Sequence, residues 1–280
     1  MAWRDILVFA DGSEEAVVRA RLALDLAHKH GAHCETRVIT EAPPSPDLIG
    51  TPALEEAYQA LLKRAREKGA AALEKLRKLA RPGSGFSLHQ QETPIVQVDR
   101  QAAIAARWSD LVVLGQPCDD REGDVDRAVL EGALFGGGAP CLILPRWIKP
   151  HEFGKRVVVA WKGTPQAARA ARAALPLLRE AQSVRLLVVD PRGEDDGEDR
   201  AALMRLATHF ARHGVKLEEP VTTQSDLGEA GDAIAHELEE FNADMLVMGA
   251  YGHARASEFI FGGVSRQMIR NANVALVMAH

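Results

Sequence analysis

The chain has 280 residues, 46% of them hydrophobic and 26% charged, and a formal net charge of −5. That length serves one large domain or two of ordinary size, and the acidic balance excludes the basic excess of a nucleic-acid-binding domain. No apolar run of about 18 residues is present to cross a bilayer. In the opening MAWRDILVFADG a charged pair stands where a signal peptide would carry its apolar core, so neither a membrane span nor export is expected. Cys34, Cys118 and Cys141 give no disulfide framework and suit a reducing cytoplasm.

In chain order, the apolar run at 6–10 predicts a strand that ends in Asp11-Gly12-Ser13, and an alanine-rich helix over Ala16–His30 follows. Strands are predicted near 33–40 and 87–92, around a helix over Leu54–Leu79 whose apolar spacing fits an exposed amphipathic helix. Strands near 111–114 and 141–144 complete the first half. The pattern then begins again. Asp5 to Ser13 matches Arg156 to Thr164 at a constant offset, and a helix over Gln166–Glu180 follows. Strands are predicted near 157–161, 184–189, 216–221, 245–248 and 275–278. Ser109 to Gly115 parallels Ala243 to Gly249, and Ala139 to Leu144 parallels Asn273 to Met278. The chain therefore reads as two copies of one domain of about 140 residues, spanning 1–149 and 150–280. A short Pro-bearing joint lies near Arg146 to Lys155. The strands read as continuous β-branched and leucine runs and not as alternating ones, which marks strands covered on both faces, hence a parallel sheet with helices on each side, an α/β fold.

The stretch Met245 to Ser265 carries the clearest functional signal. A buried strand stops at Gly249, a second glycine follows at Gly252, and Gly262-Gly263-Val264-Ser265 opens a helix. Glycines let the main chain approach an anion, and the N–H groups of a first helical turn point at it. Walker A and G-x-G-x-x-G motifs are absent.

These residues resemble the universal stress protein family. The shared features are a strand ending in Asp-Gly-Ser, a later strand ending in Gly-x-x-Gly, nine residues, and then glycine with small and hydroxyl residues. The duplicated chain is similar to the family's tandem class over essentially its whole length. The resemblance implies a five-stranded, mainly parallel open sheet in each domain, with helices on both faces. It implies intramolecular pairing of the domains through their last strands, with a homodimer open, and a stress-related cytoplasmic role. It also implies ATP or another adenine nucleotide at the strand ends, with or without Mg. Carried over by position, the second half supplies Ala160 and Lys162 at the end of its first strand and Val189 at the end of its second, while Met248 and Gly249 would border the adenosine. Gly252, Gly262, Gly263, Val264 and Ser265 would face the phosphates.

Two departures stand out. Asp11 keeps the family's aspartate in the first half, whereas the second half has Lys162, whose ammonium would attract a triphosphate or crowd the ribose. In the first half, Cys118, Ala128, Val129 and Glu131 align with Gly252, Gly262, Gly263 and Ser265, and acids from Asp119 to Asp126 crowd the loop. Each like-charge contact with a phosphate at about 4 Å would cost about 4 kcal/mol at an effective dielectric near 20. A nucleotide is therefore expected in the second half alone, with Asp11 either a vestige of the family's site or a helix N-cap.

Other clusters read as structural. His28, His30, His33 and Cys34 fit a helix end capped by Gly31 better than a metal site. His253, Arg255 and Arg266 are candidate phosphate contacts, Phe259 to Phe261 candidate anchors of the loop, and Cys118 an inert thiol. Trp161 is open between adenine and the other domain. No nucleophile–base pair is legible, so no catalytic residue is expected and hydrolysis would be slow at most. An interaction scaffold that binds no nucleotide, its pocket blocked by Lys162, is the alternative.

Overall fold

A computed structural model of the chain describes residues 3–43, 52–80, 85–117, 125–146, 153–190, 198–224, 230–250 and 263–280. They divide into two compact units, Trp3–Ala139 and Pro140–His280.

The first unit runs β1 (Asp5–Phe9), α1 (Glu14–His30), β2 (His33–Ala42), α2 (Pro52–Arg77), β3 (Phe86–Pro94), a 3-10 turn, α3 (Val98–Ala106), β4 (Leu111–Gly115) and α4 (Val125–Glu131), which continues into a π-helical turn at Gly132–Gly136. Its strands lie in the order β3-β2-β1-β4, all parallel. The central strand buries Ile6, Leu7 and Val8, as a strand covered on both faces must. Helix α1 starts because the Ser13 hydroxyl accepts the Ala16 N–H at 3.2 Å, with Glu14 and Glu15 in the first turn and at the positive end of the dipole. It stops at Gly31, whose φ of 63° lets its N–H reach the Ala27 and His28 carbonyls. His28 and His30 thus sit at the negative end, as expected. Cys34 points into the core and His33 meets the Ser87 hydroxyl at 2.9 Å, so this cluster does not converge on one point.

The second unit runs β5 (Cys141–Leu144), β6 (Arg156–Ala160), α5 (Pro165–Ala173), α6 (Leu175–Leu178), β7 (Ser183–Asp190), α7 (Glu198–Arg212), β8 (Val221–Gln224), α8 (Ala230–Glu240), β9 (Met245–Gly249), α9 (Gly263–Asn271) and β10 (Ala275–Ala279). The order is β5-β10-β9-β6-β7-β8. Every pair is parallel except β5 with β10, where Leu142 stands opposite Val277 in antiparallel register. Both β9 and β10 are buried at every position. The α/β architecture, mostly parallel and open with helices packed on it, is the one the apolar runs imply.

Three local expectations are corrected. The helix expected over Gln166–Glu180 is two pieces, α5 and α6, because Pro176 cannot supply its N–H to a continuous ladder. The strand expected over 216–221 begins only at Val221. Leu217 makes an isolated bridge to Val184, and Pro220 interrupts the pairing between them. The edge strands β3 and β8 are half-exposed and not covered on both faces.

One staple occurs at matching places. Asp110, before β4, accepts the Arg4 and Asp5 N–H groups at 2.7 and 3.1 Å. Asp244, before β9, accepts those of Gly154, Lys155 and Arg156 at 2.8, 3.0 and 3.2 Å. Each carboxylate ties the start of its neighbouring strand, so the carboxyl ends emerge at a common level. No helix among the described residues is long and apolar enough to cross a membrane.

Candidate functional site

Ligands of open parallel sheets bind beyond the carboxyl ends of the strands, and in the second unit these ends coincide. Ala160 of β6 stands level with Met248 of β9 on one side and with Leu187 of β7 on the other. Val189 lies two residues further along β7 and is half-buried. Met248 and Gly249 are buried at the end of β9.

The start of α9 reaches the same level. Ala275 of β10 pairs with Met245 at the beginning of β9, so α9 must carry the chain back from the carboxyl ends to the amino ends. Its N-terminal turn, Gly263-Val264-Ser265, therefore lies at the strand ends with its N–H groups directed outward. Gly263 is exposed, Val264 half-buried, and Ser265 buried at 1% exposure. Arg266 is half-buried in the same turn.

The two described glycines of this region have different roles. A Cβ on Gly249 would stand 2.6 Å from the Ala167 nitrogen and 2.9 Å from the Gln166 carbonyl carbon. Helix α5 lies so close to the end of β9 that only glycine fits, which is a packing requirement. A Cβ on Gly263 would meet nothing within 4 Å. No neighbour among the described residues demands that glycine.

Lys162 follows β6 and is exposed; its carbonyl accepts the Thr164 N–H. Thr164 in turn caps α5, its hydroxyl accepting the Ala167 N–H at 3.3 Å. Trp161 is half-buried, and its indole Nε1 is buried without a hydrogen-bond partner among the described residues. Gly252, Gly262, His253, Arg255 and Phe259 to Phe261 lie outside the described residues, as do Cys118 and the acids from Asp119 to Asp124.

The first unit arranges its strand ends differently. Ser13, not Asp11, caps α1, which corrects the expected role of Asp11. The Asp11 carboxylate instead accepts the Ser13 N–H at 3.0 Å and its hydroxyl at 2.7 Å, folding the turn that presents the cap. Burial would raise its pKa, but those bonds, with Arg19 and Lys68 nearby, hold it below the ordinary value.

Arg19 is a residue that sequence reasoning missed. Its Nε donates to the Phe9 carbonyl at 3.0 Å, and its guanidinium lies where a Cβ on Gly115 would stand, 2.0 Å from Nη1. It faces Asp126, Asp11 and Glu15. The alignment of the halves places Ala170 opposite Arg19, and that contrast was the available signal. Val129 is buried in α4, and the Glu131 carboxylate pairs with Arg127 at 2.8 Å. A valine side chain and an engaged acid thus replace the open turn of Gly263 to Ser265.

Residues 154–280 match the model of the universal stress protein family. The whole chain superposes on a universal stress protein from Archaeoglobus fulgidus DSM 4304, with 18% identity, 98% of this chain and 97% of that one covered, and a TM-score of 0.67. It also superposes on a functionally unknown protein from Pseudomonas aeruginosa PAO1, with 16% identity, coverage of 99% and 92%, and a TM-score of 0.59. A universal stress protein solved in complex with cAMP is 16% identical and aligns with 52% of this chain and 99% of its own, at a TM-score of 0.32. No curated protein matches the sequence. The second half of the chain thus belongs to the universal stress protein family, on a polypeptide that has that family's fold along its length.

Proposed function

We propose that the second half binds ATP or another adenine nucleotide at the carboxyl ends of β6, β7 and β9, and that the first half is its structural or regulatory partner in a stress response. One observation carries this reading: the N-terminal turn of α9 opens at the strand ends on Gly263, a glycine that no packing contact among the described residues requires. A side chain is missing where a phosphate would need the main chain to come close. Ala160, Val189, Met248 and Gly249 would border the adenosine. Gly263, Val264 and Ser265, with Gly252 and Gly262 of the preceding loop, would hold the phosphates. Lys162 is exposed at the end of β6 and would add a cation where a triphosphate needs one, with or without Mg. The protein acts as a binding module rather than as an enzyme, because no general base is recognised at the end of β6 to activate a water.

The test is thermal denaturation and calorimetry of the full chain with ATP, together with mass spectrometry of small molecules released on denaturation. Stabilisation by ATP, or released adenine nucleotide, supports the reading. An unchanged melting temperature at millimolar ATP and no released nucleotide would leave the scaffold without a nucleotide.

A further inference from the structure

We propose that the first unit carries its own ligand site, at the carboxyl ends of β1 and β2, and that this site takes a small zwitterion of about dipeptide size rather than a nucleotide. A cavity of about 660 Å³ opens there, within the ordinary range of ligand pockets. One wall is a face of α2, where Leu61, Arg64 and Lys68 recur at helical spacing; the other holds Asp11, Glu41 and Asp126. Val38 and Ile39 form an apolar part of the lining.

Charge pairing inside the cavity identifies which groups await a partner. Asp11 is engaged by Ser13 and attracted by Arg19 and Lys68. Asp126 is attracted by Arg19. Glu41 and Arg64 line the same cavity and have no hydrogen-bond or ion-pair partner among the described residues. The third such group is Thr40, which is only 5% exposed, lines the cavity, and has no partner for its Oγ1. Gly69 on α2 lies against this hydroxyl, since a Cβ there would stand 2.7 Å from it and 2.1 Å from the Gln90 amide nitrogen. A buried hydroxyl without a partner is unfavourable and marks this wall of the cavity as locally unsatisfied.

The ligand that satisfies the two exposed charges has a carboxylate for the planar fork of Arg64, an ammonium for Glu41 and an apolar body for Val38, Ile39 and Leu61. A nucleoside triphosphate fits poorly, because its charge would face Asp11, Glu41 and Asp126 with only Arg64 unengaged. The site is independent of the nucleotide reading for the second half.

The probe is L-leucyl-L-leucine, titrated into the full chain by calorimetry and in thermal denaturation. At millimolar dipeptide the melting temperature should rise by at least about 2 °C, with one site per chain, while the neutral analogue N-acetyl-leucinamide should give no rise. Arg64→Met and Glu41→Gln change exposed side chains and should each weaken the dipeptide about tenfold or more. Thr40→Val, of similar shape, should weaken it less. None of the three should alter the response to ATP. No shift with the dipeptide, equal shifts with the neutral analogue, or binding untouched by both charge variants would overturn the proposal. So would an ATP response that disappears in Arg64→Met, which would place the nucleotide in this cavity. Loss of the ATP response in Gly263→Glu leaves the proposal standing.

Discussion

The two glycines Gly249 and Gly263 allow folding and binding to be separated by substitution. In Gly263→Glu the new Cβ meets nothing within 4 Å among the described residues, so no clash with them opposes the substitution. A carboxylate in a first helical turn is favourable by about 0.3–1 kcal/mol, so the ligand-free melting temperature should stay level or rise slightly. Toward a phosphate the same carboxylate is repulsive. The unscreened cost at about 4 Å and an effective dielectric near 20 is about 4 kcal/mol. At an exposed position in physiological salt, screening reduces it to about 1–2 kcal/mol, or about five- to thirtyfold in ATP affinity. Gly249→Ala should behave in the opposite sense. Its Cβ would stand 2.6 Å from the Ala167 nitrogen, a backbone atom that cannot rotate away. Such overpacking costs about 1–3 kcal/mol, or about 3–10 °C in melting temperature. Thermal denaturation without ligand and calorimetry with ATP measure both effects. Wild-type ATP affinity in Gly263→Glu would refute the placement of phosphates at α9, and an unchanged melting temperature in Gly249→Ala would refute the close approach of α5.

Lys162→Glu should weaken ATP about tenfold or more, with a larger effect at low ionic strength where the charge is least screened; tighter binding would show that the lysine obstructs the site. Asp11 has a carboxyl held below its ordinary 3.8, so its contribution to stability is complete above that value and is lost as the pH falls through the lower, folded-state value. The melting-temperature gap between wild type and Asp11→Asn should therefore narrow from pH 6 to pH 3. The gap should correspond to less than about 1 kcal/mol because the side chain is exposed, and a gap that widens on acidification would contradict the assignment. Burial pushes the Cys34 thiol up to about 12, and the buried Cys141 thiol is raised too. Neither should react with a thiol reagent at pH 8 before unfolding; two or more fast thiols in the native protein would count against that burial.

The core was legible because its strands are apolar without alternation. Leu111 to Leu114 and Met245 to Met248 read as doubly covered strands and are buried throughout. Elements failed where one residue overrides a periodic pattern. Pro176 divides a helix that its alanines would continue, and Pro220 delays a strand whose flanks look extended. The strand-end positions were legible as a group, from the glycine spacing and the family resemblance. Which glycine serves packing was not, since it depends on how closely α5 approaches β9, a distance no spacing encodes. Arg19 was missed for a similar reason. It belongs to an alanine-rich helix in sequence, and only the fold brings its guanidinium to the end of β4.

The two halves show which strand-end residues folding requires. Ser13 and Thr164 occupy matching positions, and each hydroxyl accepts an N–H in the first turn of the following helix. That role is worth about 1 kcal/mol and explains a hydroxyl residue at both places without reference to any ligand. Two residues earlier, Asp11 and Lys162 carry opposite charges, and both are exposed. Neither is buried and neither caps its helix, so a reversal of sign there costs the core little. Its effect falls on the potential at the strand ends. In the first unit that potential is also set by Arg19, Asp126 and the aspartate itself; in the second, Ala170 replaces the arginine and α5 closes onto Gly249. The reversal is therefore a difference in what each set of strand ends can hold. A swap of Asp11→Lys together with Lys162→Asp should leave the melting temperature within about 2 °C of wild type while lowering affinity for ATP. A large loss of stability would show that these two charges serve the fold instead.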